Sequence, residues 1–169
     1  MMPTIYKVEL IGSGWLAIMA RPRAGEWAAD EFSGLAKLGV TTLVSLLEPA
    51  EARELDLENE SSLCATASIE FRSFPIADRG VPRSASELSK IACALFHHAE
   101  AGNGVTMHCR AGIGRSGVVA AAVLLHCGHT PMQAFARISR GRGLAVPDTP
   151  EQARWLEENH RAISRCHLP

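Results

Sequence analysis

The sequence predicts an α/β fold: a mainly parallel sheet covered by helices on both faces. Three observations carry this. Short β-branched or alternating runs recur along the chain between stretches of helical periodicity, the pattern of strands joined by crossover helices. The run "VTTLVSLL" (40–47) is apolar nearly throughout, as a strand buried on both faces requires. The run "SGVVAAAVLL" (116–125) is apolar all round, so a helix there is buried rather than amphipathic.

Strands are expected near 5–10 and 15–20, followed by a helix over 27–38 that Gly39 stops. After the buried strand at 40–47, the acidic stretch 49–60 reads as helical and solvated, and "SIEFRSF" (68–74) alternates like another strand. "PIADRGVP" (75–82) is bracketed by prolines and broken by Gly80, which makes it a loop. Ser84, with Glu87 three residues on, is a capping box that opens a helix with Leu88, Ile91, Ala92, Leu95 and Phe96 on one face. "GVTMH" (104–108) is a strand, and the buried helix after it is ended by Gly128. Thr130-Pro131 and Thr149-Pro150 each place an N-cap before a proline at the first helical position.

The 169 residues are expected to form one domain over 1–169, with no repeat, linker or low-complexity tract. A formal net charge of −1 argues against broad binding to nucleic acid or to a membrane surface, which needs excess Lys and Arg. The longest apolar run is far short of the roughly 20 residues of a spanning helix. "MMPTIYKVEL" lacks a basic region followed by an apolar stretch, so no secretory signal is expected and a cytoplasmic location is. Five cysteines (Cys64, Cys93, Cys109, Cys127 and Cys166) form no CxxC pair, which argues against a disulfide framework and a zinc knuckle. His126, Cys127 and His129 crowd together in "HCGH", but no second pair completes a tetrahedral site, and helix-end packing accounts for them better.

The chemistry concentrates in "HCRAGIGRSG" (108–117), between the strand and the buried helix. In open α/β sheets ligands bind beyond the strand C-termini, which is where this segment falls. Gly112 and Gly114 let a tight loop curl until successive backbone N–H groups point inward, and a helix opening at about Arg115 adds its positive end. The result is a cradle for a tetrahedral oxyanion, formed by Arg110, Ala111, Gly112, Ile113 and Gly114 and closed by the bidentate fork of Arg115. Cys109 at its base is expected to act as a thiolate nucleophile. Ser116 can donate to that sulfur, and His108 can fix the loop from behind through its ring nitrogens.

These residues resemble the signature loop of the cysteine-dependent protein tyrosine phosphatase superfamily, His-Cys-x5-Arg-Ser/Thr, with His108, Cys109, Gly112, Gly114, Arg115 and Ser116 at its fixed positions. A phosphate ester needs a proton donor for its leaving oxygen. The candidate is Asp78, in the proline-bracketed loop 31 residues before Cys109, after a strand that could run alongside the cysteine-bearing one. "FPIADRGVP" is similar to the general-acid loop of dual-specificity phosphatases, and most like the cyclin-dependent-kinase-associated type, whose loop has a Pro-Ile-Ala-Asp-Gly run. Glu48 and Glu51 are weaker candidates because their segment reads as solvated.

Gln152 has two readings. It can orient the water of a second step, as a downstream glutamine does in tyrosine phosphatases, or it can close a capping box with Thr149. Capping is favoured, because Thr130 and Gln133 repeat the same spelling where no catalysis is expected. Arg140 and Arg142 in "ISRGRG" either add positive potential near an anionic substrate or lie in a solvated helix end.

The resemblance implies a compact dual-specificity-phosphatase-like domain with a four- to five-stranded, mostly parallel sheet. It further implies hydrolysis of phosphate monoesters through a phosphocysteine intermediate, without metal or cofactor, on phosphotyrosine or phosphoserine/threonine of proteins. Phosphate, sulfate or vanadate should bind the loop. The alternatives are a same-fold phosphatase for phosphoinositides or RNA 5′-phosphates, and a catalytically dead phospho-binding module.

Overall fold

The computed structural model describes residues 2–165. Its strands are β1 (Tyr6–Ile11), β2 (Gly14–Met19), β3 (Thr42–Ser45), β4 (Glu70–Ser73) and β5 (Gly104–His108), in one sheet of order β1-β2-β5-β3-β4. β1 and β2 form an antiparallel hairpin, and the pairings β2–β5, β5–β3 and β3–β4 are parallel. This is the mostly parallel sheet that the alternation predicts.

A 3-10 turn (Gly25–Trp27) leads into α1 (Ala28–Lys37); the other helices are α2 (Pro49–Glu54), α3 (Glu60–Thr66), α4 (Ala85–Glu100), α5 (Gly114–Leu125), α6 (Pro131–Arg142) and α7 (Pro150–Ile163). Side chains alternate across each strand, so one strand feeds two cores. Leu43 and Met19 face α1 and α3, together with Phe32, Leu35 and Cys64. Val44, Ile18, Val105 and Met107 face the opposite layer. There α5, with all twelve residues buried, packs against α4, α6 and α7. A helix enclosed on every side has no solvent face to be polar, which is why its sequence is apolar all round.

Both halves of the capping box form at Thr130 and at Thr149, and Ser84 accepts from the Glu87 N–H at 3.2 Å. Three expectations need correction. In the stretch 49–60 only α2 is helical before turns at 55–59, with α3 starting at Glu60, and Glu51 and Glu60 are buried rather than solvated. The strand before the acid loop, β4, pairs with β3 and not with β5, so one strand stands between the two site-bearing segments. Cys64, Cys109 and Cys127 carry free thiols, Cys93 is disulfide-bonded although the spacing argued against a bridge, and Cys166 lies outside the described residues. Pairing depends on the approach of two Cα atoms, which spacing does not report. Among the described residues no helix is long and apolar enough to cross a membrane.

Candidate active site

The site lies at the C-terminal ends of β2, β3, β4 and β5. Cys109 follows β5, the middle strand, and the chain from Cys109 to Ile113 curls into α5. Gly112 holds φ at 68°, and a Cβ there would sit 2.3 Å from the Met19 backbone, so no other residue fits the turn. Ile113, the N-cap of α5, offers no capping side chain. The first N–H groups of α5 therefore have no protein acceptor from a cap and remain available to an anion. Cys109, Arg110, Ala111, Ile113, Gly114 and Arg115 line a pocket of about 190 Å³ with Asp78, Arg79, Asp148 and Gln152. That is below the roughly 300–1,000 Å³ of small-molecule sites. It suits a single tetrahedral group, with the remainder of a ligand lying across the surface.

Arg115 is the most constrained side chain in the site, only 2% exposed. Nη1 donates to Glu51 Oε2 (2.7 Å) and to Ile76 O (2.9 Å); Nη2 donates to Glu51 Oε1 (2.9 Å) and to Asp78 Oδ1 (3.0 Å). Burial opposes the guanidinium charge, but the Glu51 hydrogen bonds and the attraction of Cys109, Glu51 and Asp78 outweigh it and hold Arg115 above its ordinary pKa. The same pairing holds the Glu51 carboxyl below the usual carboxylate range, against the opposing effect of its own burial. Arg110 also reaches Glu51 (3.3 Å) and Glu54 (3.2 Å), which draws its side chain toward α2.

Sequence reasoning weighs Glu51 only as a weaker proton donor and misses its grip on Arg115, because acidic composition points to solvent. The available signal was position: Glu51 lies in the first turn of a proline-started helix just past a strand C-terminus, where ligands gather.

His108 is fully buried behind the loop. Its Nε2 lies 2.7 Å from Glu60 Oε1, a close contact without the alignment of a hydrogen bond, and Nδ1 is 3.4 Å from Cys109 O. Its two ring nitrogens thus face Cys109 O and Glu60, the latter a residue the sequence does not single out. Ser116 Oγ is buried with no hydrogen-bond partner among the described residues, so it does not donate to Cys109 here.

Asp78 is on the loop after β4 with its side chain 58% exposed, reaching the pocket through Arg115. The next residue, Arg79, holds φ at 58°, the left-handed region. The related acid loop has glycine at that position, which adopts it without a Cβ penalty. Gln152 performs two tasks. Its Oε1 accepts from Thr149 N–H (3.1 Å), closing the cap, while its Nε2 donates to Gly80 O (3.1 Å) and ties the acid loop to α7. Arg140 is exposed, whereas Arg142 turns toward the outer side of the loop, donating to its carbonyls instead of facing the pocket.

Residues 17–129, from β2 past the end of α5, match the family described as "Polymorphic toxin system, DSP-PTPase phosphatase". No curated protein sequence matches the chain. Among solved structures it is similar to kinase associated phosphatase (KAP), solved with its catalytic-site cysteine replaced by serine: TM-score 0.86, 23% identity, 99% of each chain covered. Tk-PTP in its active form gives 0.75 and 26% over 97% of this chain and 98% of that one. PTPMT1, also solved in complex with PI(5)P, gives 0.75 and 23% over 95% and 96%. With two thirds of its length, and both the cysteine loop and the acid loop, inside the family match, the chain belongs to the DSP-PTPase phosphatase family of polymorphic toxin systems and has the dual-specificity phosphatase fold.

Proposed function

We propose that the chain hydrolyses phosphate monoesters of proteins, at phosphotyrosine or phosphoserine/threonine, through a phosphocysteine formed on Cys109. The observation that carries this is the immobilised Arg115. Its guanidinium is buried beside Cys109, at the mouth of a helix whose first N–H groups lack a cap, with Asp78 3.0 Å away.

In the first step the Cys109 thiolate attacks phosphorus in line; the S–P bond forms as the ester P–O bond breaks. Asp78 leaves Arg115 Nη2 to give its proton to the departing oxygen, so that Nη2, Nε and the loop N–H groups hold the three equatorial oxygens while Nη1 stays on Glu51 and Ile76 O. In the second step water attacks phosphorus, the P–S bond breaks and the thiolate is regenerated. Asp78 takes the water proton, and Ser116, whose hydroxyl has no other partner, donates to the leaving sulfur. The loop and the arginine supply the anion stabilisation, so no step calls for a metal or cofactor.

A pocket of about 190 Å³ accepts the phosphoryl group and leaves the rest of the substrate on the surface, as a protein substrate requires. The variable loop positions are Arg110, Ala111 and Ile113, without the lysines of the lipid-directed branch. The test is phosphate release from an aryl phosphate by wild type and Cys109→Ser, followed by phosphopeptides, inositol phosphates and RNA 5′-phosphates in parallel. Cys109→Ser should abolish turnover and retain vanadate binding. Residual activity within about tenfold of wild type would remove Cys109 as nucleophile, and a preference for inositol phosphates or RNA ends would replace the protein substrate.

A further inference from the structure

Three consecutive carbonyls of the cysteine loop are held from outside. Arg110 O accepts from the Arg21 backbone N–H at 3.2 Å. Ala111 O accepts from Arg142 Nη2 at 3.2 Å, and Gly112 O accepts from Arg142 Nε at 3.1 Å. A trans peptide is planar, with its C=O and N–H pointing to opposite sides. Fixing these carbonyls outward therefore aims the N–H groups of Ala111, Gly112 and Ile113 the other way, toward the pocket that Ala111 and Ile113 line.

We propose that Arg142 is a positioning residue for oxyanion binding: by gripping the carbonyls of Ala111 and Gly112 it orients the N–H donors of Gly112 and Ile113 toward the phosphoryl group. The inference rests on the cradle being the phosphate site, as proposed above, and adds a residue that never touches the substrate.

The surroundings of Arg142 suit this role. It is the last residue of α6, where Gly143 (φ 80°) turns the chain. One residue earlier, a Cβ on Gly141 would lie 2.8 Å from Lys7 O, so the helix end lies directly on β1. From β1, Tyr6 presents its ring 4.0 Å from the Arg142 guanidinium carbon. The stacked, planar fork is thereby fixed in orientation, and its separate N–H groups reach two adjacent carbonyls at once. A lysine has one nitrogen and no plane to stack. The cation also polarises the two peptide groups it grips, strengthening the N–H donors on their far side. Without it these two peptides lose their outer partners and can rotate, turning an acceptor oxygen toward a dianion.

The experiment compares tungstate affinity and aryl phosphate kinetics for wild type, Arg142→Ala, Arg142→Lys and Arg140→Ala. Arg142→Ala should bind tungstate about tenfold more weakly, in line with losing hydrogen bonds made by a charged group, with kcat/KM falling in step. Arg142→Lys should be intermediate, and Arg140→Ala, which removes a charge from the exposed side of the same helix end, should match wild type. Millimolar guanidinium ion should restore part of the lost affinity in Arg142→Ala and leave wild type unchanged.

Equal tungstate affinity in wild type and both Arg142 variants would overturn the inference, as would a loss in Arg140→Ala as large as in Arg142→Ala. Should Arg142→Ala fail to fold, Arg142→Lys decides alone: wild-type affinity for tungstate contradicts the proposal. A wild-type chain that neither binds tungstate nor turns over substrate would instead remove the phosphatase reading beneath it.

Discussion

Glu51 holds Arg115 with both carboxylate oxygens, at 2.7 and 2.9 Å, from a helix that follows a different strand. Removing one member of a buried pair leaves the other charge uncompensated, at a cost of about 3–5 kcal/mol. Glu51→Gln should lower the unfolding free energy by an amount near the bottom of that range, since an amide oxygen still accepts. It should also lower kcat/KM on the order of 100-fold, because the arginine that orients the phosphoryl group is no longer fixed. Chemical unfolding and steady-state kinetics check the two halves separately.

The same pair makes a pH prediction. The Arg115 hydrogen bonds hold the Glu51 carboxyl below its ordinary value, against the effect of burial. A group depressed in the folded state contributes stability that is present above its unfolded pKa and is lost as pH falls through the folded one. The gap in Tm between wild type and Glu51→Gln should therefore be full at pH 6–7 and narrow below about pH 4, the ordinary range of a glutamate. A gap that stays constant down to pH 3 would contradict the assignment.

What was legible in the sequence was local. The cradle from His108 to Gly117 and the loop from Pro75 to Pro82 each carry their chemistry within ten residues, so spacing and turn residues suffice to read them. Glu51 lies 64 residues from the arginine it holds, and its burial is decided by α2 folding against the cysteine loop. Composition at 49–60 pointed the other way. Strand order was hidden for the same reason: nothing in "SIEFRSF" shows that β3 would lie between β4 and β5. For Gln152 the sequence offers capping and a task at the site as alternatives, but one amide has two ends. Its oxygen caps α7 and its nitrogen holds the acid loop.

That division gives a prediction for Gln152→Met, which keeps the length of the side chain and loses both hydrogen bonds. Loss of the cap should cost about 1 kcal/mol. Release of Gly80 O should lower kcat with little change in KM, because it is the acid loop and not the cradle that comes free. Wild-type kcat in a chain destabilised by that amount would reduce Gln152 to a helix cap.

Thiol chemistry separates Cys109 from the other free cysteines. Burial pushes the Cys64 thiol up to about 12, with Glu60 adding to it, and burial pushes Cys127 up to about 11. The thiolate is the reactive form, so both should resist iodoacetamide at pH 7 in the folded protein. Peptide mapping should find the label on Cys109, which opens onto the pocket, and vanadate should protect it. Label on Cys64 or Cys127 ahead of Cys109 would contradict this ordering.

The central claim is that Cys109 accepts the phosphoryl group. Its most direct test is a rapid denaturing quench during turnover of an aryl phosphate, followed by mass spectrometry of the peptide containing Cys109. With a nitrophenyl phosphate, whose leaving oxygen departs without a proton, the account predicts a phosphoryl mass increment on Cys109 that accumulates in Asp78→Asn, where the second step lacks its base, and is absent from Cys109→Ser. An increment on another residue, or full turnover with Cys109 replaced, would contradict it.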